Sequence, residues 1–240
     1  RSTQGVSSAA SDVYKRQLDT FIEIFQKYSF PTYFFNSLLA AGVSTLVSLL
    51  FYAMGAYVIA KFEFPGRKLL FALFTITLLV PSHSKTQPIF SLIMKLNLYD
   101  SIWGVTLVYL SAGMAMSIFV LKAGFMAIPK SLDEAATLDG ASFFRTFWTI
   151  NLPLAKSALA TAGILMFLGN WNEYYFASLL TVSDSQRTLP IALAFFTSEF
   201  SYNYTQLFAA LTIVILPGII LYALAQDQVQ ASVAASGVKG

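Results

Sequence analysis

The sequence predicts an all-α protein: a polytopic bundle of transmembrane helices with a helix-turn-helix standing on its cytoplasmic side. Three observations carry that prediction. Hydrophobic residues fill 56% of the 240 positions and charged residues 11%, with a mean hydropathy of +0.64. Soluble domains carry about 25% charged residues, so this chain lacks the polar surface to cover a water-soluble globule. Five stretches are long and apolar enough to cross a bilayer, and lysines and arginines collect in alternate connections between them. The same composition excludes other classes. There is no cysteine for disulfides or thiolate metal sites, and a single histidine, His83, cannot build a multi-histidine metal site. A net charge of +3 is too small to argue for nucleic acid.

A membrane helix needs about 20 apolar residues, at 1.5 Å rise each, to cross about 30 Å of hydrocarbon. Residues 32–60 contain no charge, and residues 69–90 carry only Lys85. Residues 101–121 and 206–226 are charge-free, and residues 157–183 carry one carboxylate, Glu173. The connection after the first span holds Lys61, Arg67 and Lys68, and the one after the third holds Lys122, Lys130, Arg145 and Lys156. The other two connections hold only Lys95 and Arg187. Both basic connections therefore face the cytoplasm, with the C-terminus inside and the N-terminus outside. Pro65 and Gly66 supply the tight turn between the first two spans.

An external N-terminus needs something to deliver it. Residues 1–17 contain neither a signal sequence nor a span. They read as an unassigned polar segment, either foreign to the chain or disordered. From Leu18 an apolar pattern begins, with Phe21, Ile22 and Phe25 suiting one face of a short helix. The expectation is that a preceding span is absent and that residues 18–240 form one domain.

Residues 129–155 read as the soluble helix-turn-helix. Pro129 closes the preceding span, and Ser131 and Glu134 stand at the spacing of a capping box. Ala135 and Ala136 leave a low surface that another protein can approach. Gly140 fits the left-handed position that ends a helix. Ser142 can cap a second helix in which Phe143, Phe147 and Ile150 recur on one face, and Pro153 stops it. Caps and prolines alone also fit an ordinary loop packed on its own bundle.

The segment EAATLDGASFFRTFWTINLP from Glu134 resembles the coupling loop in permease subunits of bacterial ABC importers: EAA, three residues, Gly140, nine residues, then Ile150-x-Leu152-Pro153. Further stretches resemble the maltose-type, carbohydrate branch of that family. They are FFNSLLAAGVSTLVSLL from Phe34, KFEFPGRK from Lys61, the Val80-Pro81 pair, IPKSLDEAATLDGAS from Ile128, LGNWNEYYF from Leu168, RTLPIAL from Arg187 and the terminal GVKG from Gly237. The resemblance implies a six-span subunit of the bacterial inner membrane with both termini cytoplasmic. It implies a second, homologous permease, two ATP-binding subunits beneath the pair and an extracytoplasmic binding protein that delivers a carbohydrate. No cofactor belongs to such a subunit, whose partners bind the ATP. The matched positions assign coupling to Glu134, Ala135, Ala136, Asp139, Gly140, Ile150, Leu152 and Pro153. Phe143, Phe144, Phe147 and Trp148 would fix the second helix to the bundle, and the GVKG tail would reach into the ATPase pair. The polar run SHSKTQ from Ser82 departs from more apolar relatives and puts the usual lining there in doubt.

Lys85 and Glu173 each lie sixteen residues into an outward-running span, about 24 Å from its cytoplasmic end. Ionisable groups at that depth face a cavity or a partner, or snorkel to the headgroups. The expectation is that the two approach one another or line one polar pathway with Asn170, Trp171 and Asn172. Interfacial preference accounts for part of the tryptophan and tyrosine signal there. The chain lacks the G-x-x-x-x-G-K-[ST] phosphate loop, so it is not the motor and not an enzyme in its own right. An ion-coupled secondary transporter would need more intramembrane carboxylates and repeated halves. A permease for a non-sugar solute stays open as the alternative.

Overall fold

The computed structural model describes residues 19–26, 29–194, 197–198, 201–202 and 204–237. Residues 1–18 and the last three residues of the GVKG tail therefore lie outside it. A short helix α1 (19–26) leads to α2 (Phe30–Lys61), a single helix of 32 residues around which the other elements are arranged. At 1.5 Å per residue α2 is about 48 Å long, enough to pass through the hydrocarbon and emerge on both sides. Its buried face is made of small residues, among them Ala40, Ala41, Ser44, Ser48, Ala53 and Ala56. Small side chains let neighbouring helices close in where lipid supplies no hydrophobic drive.

After α3 (Arg67–Ile76) and a 3-10 turn to Leu79, a second 3-10 turn (Ser82–Lys85) opens α4 (Thr86–Lys95). Then come α5 (Ile102–Leu110) and α6 (Met114–Ala127). The cytoplasmic pieces are α7 (Lys130–Leu138), α8 (Phe143–Thr146), a π turn (Phe147–Asn151) and α9 (Leu152–Leu154). The chain continues through α10 (Lys156–Trp171), α11 (Tyr175–Leu180), α12 (Leu189–Ala194) and α13 (Tyr204–Gly237). A two-residue antiparallel pair, Thr197–Ser198 with Ser201–Tyr202, precedes α13. Helices α5, α6 and α10 pack on α2, and α13 packs on α10. A Cβ on Gly124 would stand 2.3 Å from the Cβ of Ala158, so α6 and α10 touch almost backbone to backbone.

Among the described residues two unbroken helices, α2 and Tyr204–Leu224, are long and apolar enough to cross a membrane, and the count reaches five when each of three bent helix pairs is taken as one span. The second span turns through 102° between Arg67–Leu79 and Ser82–Lys95. Pro81 lacks an N–H and pushes Val80 into extended backbone, which ends the helix there. The third is bent by 48° between α5 and α6. The break leaves the carbonyl of Leu110 without a helical partner, and Ser48 Oγ (2.7 Å) and Tyr52 OH (2.5 Å) of α2 both donate to it. In hydrocarbon a freed backbone group must be satisfied inside the protein. Across the fourth predicted stretch, α10 ends at Trp171 and α11 starts at Tyr175, whereas the bent pair apolar enough to cross joins Phe143–Leu154 to α10.

Polar contacts at the two ends of α2 fix the topology. At its start Tyr33 OH donates to Asp184 (2.6 Å), and Asn36 Nδ2 donates to the carbonyls of Ser185 and Arg187 (2.9 Å each). Ser37 Oγ accepts from the amide of Leu189. The 97–101 connection joins the same end, because Asp100 accepts from the amides of Val182 and Ser183 (2.8 Å each) and from the Ser183 hydroxyl. At the other end Lys61 reaches Ile128 and Asp133. The connections richer in lysine and arginine thus lie together, as the charge pattern requires.

Candidate functional site

Helix α7 begins at Lys130, two residues earlier than a capping box with Ser131 at the N-cap predicts. Pro129 stands at its N-cap position, and no side chain caps it. Ser131 is thus already inside the first turn, since Pro129 supplies a backbone suited to starting a helix (φ −56°, ψ 135°). The other end matches expectation closely. Gly140 has φ +75°, its amide donates to Thr137 (3.0 Å), and the amide of Ala141 donates to Ala136 (2.9 Å). These two bonds close a Schellman motif, which needs the left-handed residue that glycine provides.

Ser142 then caps α8, accepting from the amide of Arg145 (3.4 Å). Pro153 does not stop the second helix, which runs to Leu154 before the chain bends by 78° into α10. The π turn just before it widens the backbone where the proline ring would otherwise press on the carbonyl four residues back.

The knuckle presents Glu134, Ala135, Asp139 and Gly140 outward. Ala136 is buried beneath it, so the low surface is Ala135 alone. Leu138, which the sequence pattern did not single out, is 89% exposed. In the second helix Phe147 is the anchor: it is buried and packs on Tyr57 of α2 with ring centroids 5.2 Å apart. Phe143 leans on Tyr57 and Phe62, whereas Phe144 and Trp148 point away from the core. Ile150 and Leu152 are half-buried, and Pro153 is exposed. Between α7, α8 and the end of α2 lies a cleft of about 320 Å³ with Tyr57, Phe62 and Phe143 as aromatic walls and Glu134 and Thr137 among its lining.

Behind the knuckle sits a polar cluster that sequence reasoning missed. Lys61 Nζ donates to Asp133 Oδ2 (2.7 Å) and to the carbonyl of Ile128 (2.8 Å). Asn151 Nδ2 donates to Asp133 Oδ1 (2.6 Å) and lies 3.5 Å from Tyr57 OH. The Lys61 side chain is 4% exposed and that of Asp133 23%. Nothing in the local pattern pairs residues 72 positions apart.

The outer candidates divide. Asn170 and Trp171 are buried and spend their donors inside the bundle, on Ser44 Oγ (3.0 Å) and the carbonyl of Val214 (3.0 Å). Glu173 accepts from the amides of Phe176 (2.8 Å) and Ala177 (3.1 Å) and from Tyr109 OH (2.9 Å). Its carboxylate therefore holds the first turn of α11, where a negative charge is favoured. Lys85 is exposed and forms no ion pair with it. The two segments meet through neighbours instead: the His83 ring stands edge-on to Tyr175 at 4.4 Å, and Thr86 Oγ1 lies 2.9 Å from Tyr175 OH. Asn172, Tyr174 and Tyr175 are exposed beside them. Among the described residues no group of three or more His, Cys, Asp or Glu could hold a metal ion.

A bundle with several candidate membrane spans and an outward-facing helix-turn-helix on its basic side fits a membrane transport subunit. The chain belongs to the family of binding-protein-dependent transport system inner membrane components, whose model matches residues 5–235. It is 36% identical over 212 residues to a putative ABC transporter permease protein, ORF2, of Caldicellulosiruptor sp., covering 88% of this chain and 77% of that one. It is 32% identical over 224 residues to the trehalose transport system permease protein SugB of Mycobacterium tuberculosis, covering 92% and 82%. The fold matches a solved bacterial ABC transporter involved in import of the acidic polysaccharide alginate. That match has a TM-score of 0.74 at 26% identity and covers 87% of this chain and 78% of that one. The chain is a multi-pass inner-membrane permease subunit.

Proposed function

We propose that this permease forms half of the membrane pathway of an ATP-driven carbohydrate importer, with a homologous permease beside it. Two ATP-binding subunits lie beneath and an extracytoplasmic protein delivers the sugar. The observation that carries the reading is the Schellman-closed knuckle, which exposes Glu134, Ala135, Leu138 and Asp139 on the basic side of the bundle. Leu138 offers an apolar contact for a groove in an ATP-binding subunit, and Glu134 and Asp139 offer acceptors for its basic side chains. Closure of the two ATP-binding subunits then pushes the knuckles together and rocks the spans above.

On the outer side, His83, Lys85, Thr86, Asn172 and Tyr175 combine hydroxyl, amide, cationic and aromatic groups at a break in two spans. Polar side chains at membrane depth need a cavity or a partner, and this mixture suits saccharide hydroxyls and ring faces. Relatives named for trehalose and for an acidic polysaccharide support carbohydrate as the substrate class.

The reading is tested by uptake of radiolabelled trehalose and short oligosaccharides into cells expressing the complete system. Uptake that disappears when the ATP-binding subunit is deleted is the expected result. Uptake that survives the deletion, or a system that carries only non-sugar solutes, overturns it.

A further inference from the structure

Helix α7 is attached to the bundle by surprisingly little: of its nine residues only Ala136 is buried. It also packs on α8, and the charged part of its hold is Asp133. One carboxylate oxygen takes Lys61 at the end of α2, and the other takes Asn151 from the π turn. Tyr57, one helical turn before Lys61, lies against the same Asn151. Three elements distant in sequence therefore meet on a single carboxylate.

Burying an ammonium disfavours the fold unless it is paired, and an apolar replacement of a buried pair is often as stable or more so. Asn151 Oδ1 is moreover buried with no hydrogen-bond partner in this arrangement. A buried charged set of this kind serves fixed orientation more than net stability.

We infer that Lys61, Asp133 and Asn151 are positioning residues that bolt the coupling helix to α2, so that a push on α7 moves the central span rather than bending the knuckle. The inference rests on the coupling role proposed above and names how that push enters the bundle. The tie is directional where the Ala136 contact is not, because charge-assisted bonds fix the angle as well as the distance.

The chain contains no cysteine, so Leu138→Cys and Leu46→Cys place spin labels uniquely on α7 and α2. Both sites are exposed, at 89% and 71%. The assembled complex with its partner permease and ATP-binding subunits is measured without nucleotide and after trapping with ATP and vanadate. With the tie intact, the distance between the labels changes by less than about 2 Å, the scale of ordinary helix slippage. With Lys61→Met or Asn151→Leu it broadens and shifts by more than that on trapping, while Lys61→Arg restores the intact behaviour.

A variant distance that matches the intact protein in both states overturns the tie. Loss of assembly in both Lys61→Met and Asn151→Leu overturns it too, since the cluster is then a folding element. A separate arm isolates the coupling role itself: the label on Leu138 must lose mobility when the ATP-binding subunits are present. If it does not, the proposed coupling fails independently of the tie.

Discussion

Replacing Gly140 is the sharpest perturbation of the knuckle, because space and strain separate there. Apart from its chain neighbours, nothing lies within 4 Å of where a Cβ would stand, so an added side chain meets no packed atom. The whole cost comes from φ +75°. Holding an L-residue in that region costs about 1–3 kcal/mol, least for asparagine and most for a β-branched side chain. A penalty of about 2 kcal/mol shifts the turn roughly 30-fold toward open conformations, since 1.4 kcal/mol is tenfold. Opening loses the bonds from Gly140 to Thr137 and from Ala141 to Ala136, and the last turn of α7 frays with Leu138 on it.

The assay compares ATP hydrolysis, sugar uptake and membrane abundance for Gly140→Asn, Gly140→Ala and Gly140→Val in the complete system. Uptake per ATP should fall in that order, to a tenth or less for valine, with abundance unchanged because the turn faces solvent. Equal uptake by the valine and asparagine variants would refute the strain argument. Wild-type uptake by all three would remove the knuckle from the mechanism.

Two further predictions concern the outer side. Glu173→Leu removes the acceptor of three hydrogen bonds. The expected cost is about 3 kcal/mol, or roughly 6–12 °C in the Tm of the purified chain. Glu173→Gln keeps one acceptor oxygen and should lose less than half as much. A Tm unchanged in the leucine variant would return Glu173 to the list of pathway residues.

The Ser183 hydroxyl and the amides of Val182 and Ser183 hold the Asp100 carboxylate below its ordinary 3.8. A lowered folded value means the tie contributes above 3.8 and is lost as the pH falls through the depressed value. The Tm gap between wild type and Asp100→Ala should therefore be open at neutral pH and close below 3.8. A gap that is the same at both acidities contradicts the assignment.

What the sequence made legible was whatever depends on local chemistry. Residues 32–60 read as a span because an uncharged run of that length has few alternatives, and α2 follows it to within a few residues. Gly140 and Ser142 read correctly because a left-handed C′ position and an N-cap depend only on immediate neighbours. The capping box failed for a local reason too, since Pro129 starts the helix before Ser131 is reached.

The depth expected for Lys85 rests on a straight-helix rise, and the segment that carries it turns through 102° instead. The Lys61–Asp133–Asn151 cluster and the Tyr109 bond to Glu173 were invisible because each joins residues through the fold rather than along the chain. Asn170 and Trp171 looked like lining because polar and aromatic side chains suit sugars. Their burial against Ser44 and Val214 depends on how α10 is rotated, which an evenly apolar helix does not reveal.

The most direct measurement is site-specific cross-linking from the exposed face of α7 in intact cells. Ala135→Cys and Leu138→Cys, each the sole cysteine of this chain, are treated with a short bifunctional maleimide in the assembled system. Cross-links to the ATP-binding subunit from both positions, altered in yield by vanadate trapping, are the predicted result. Contact from neither position, in a complex that still transports, would show that force enters the membrane by another route.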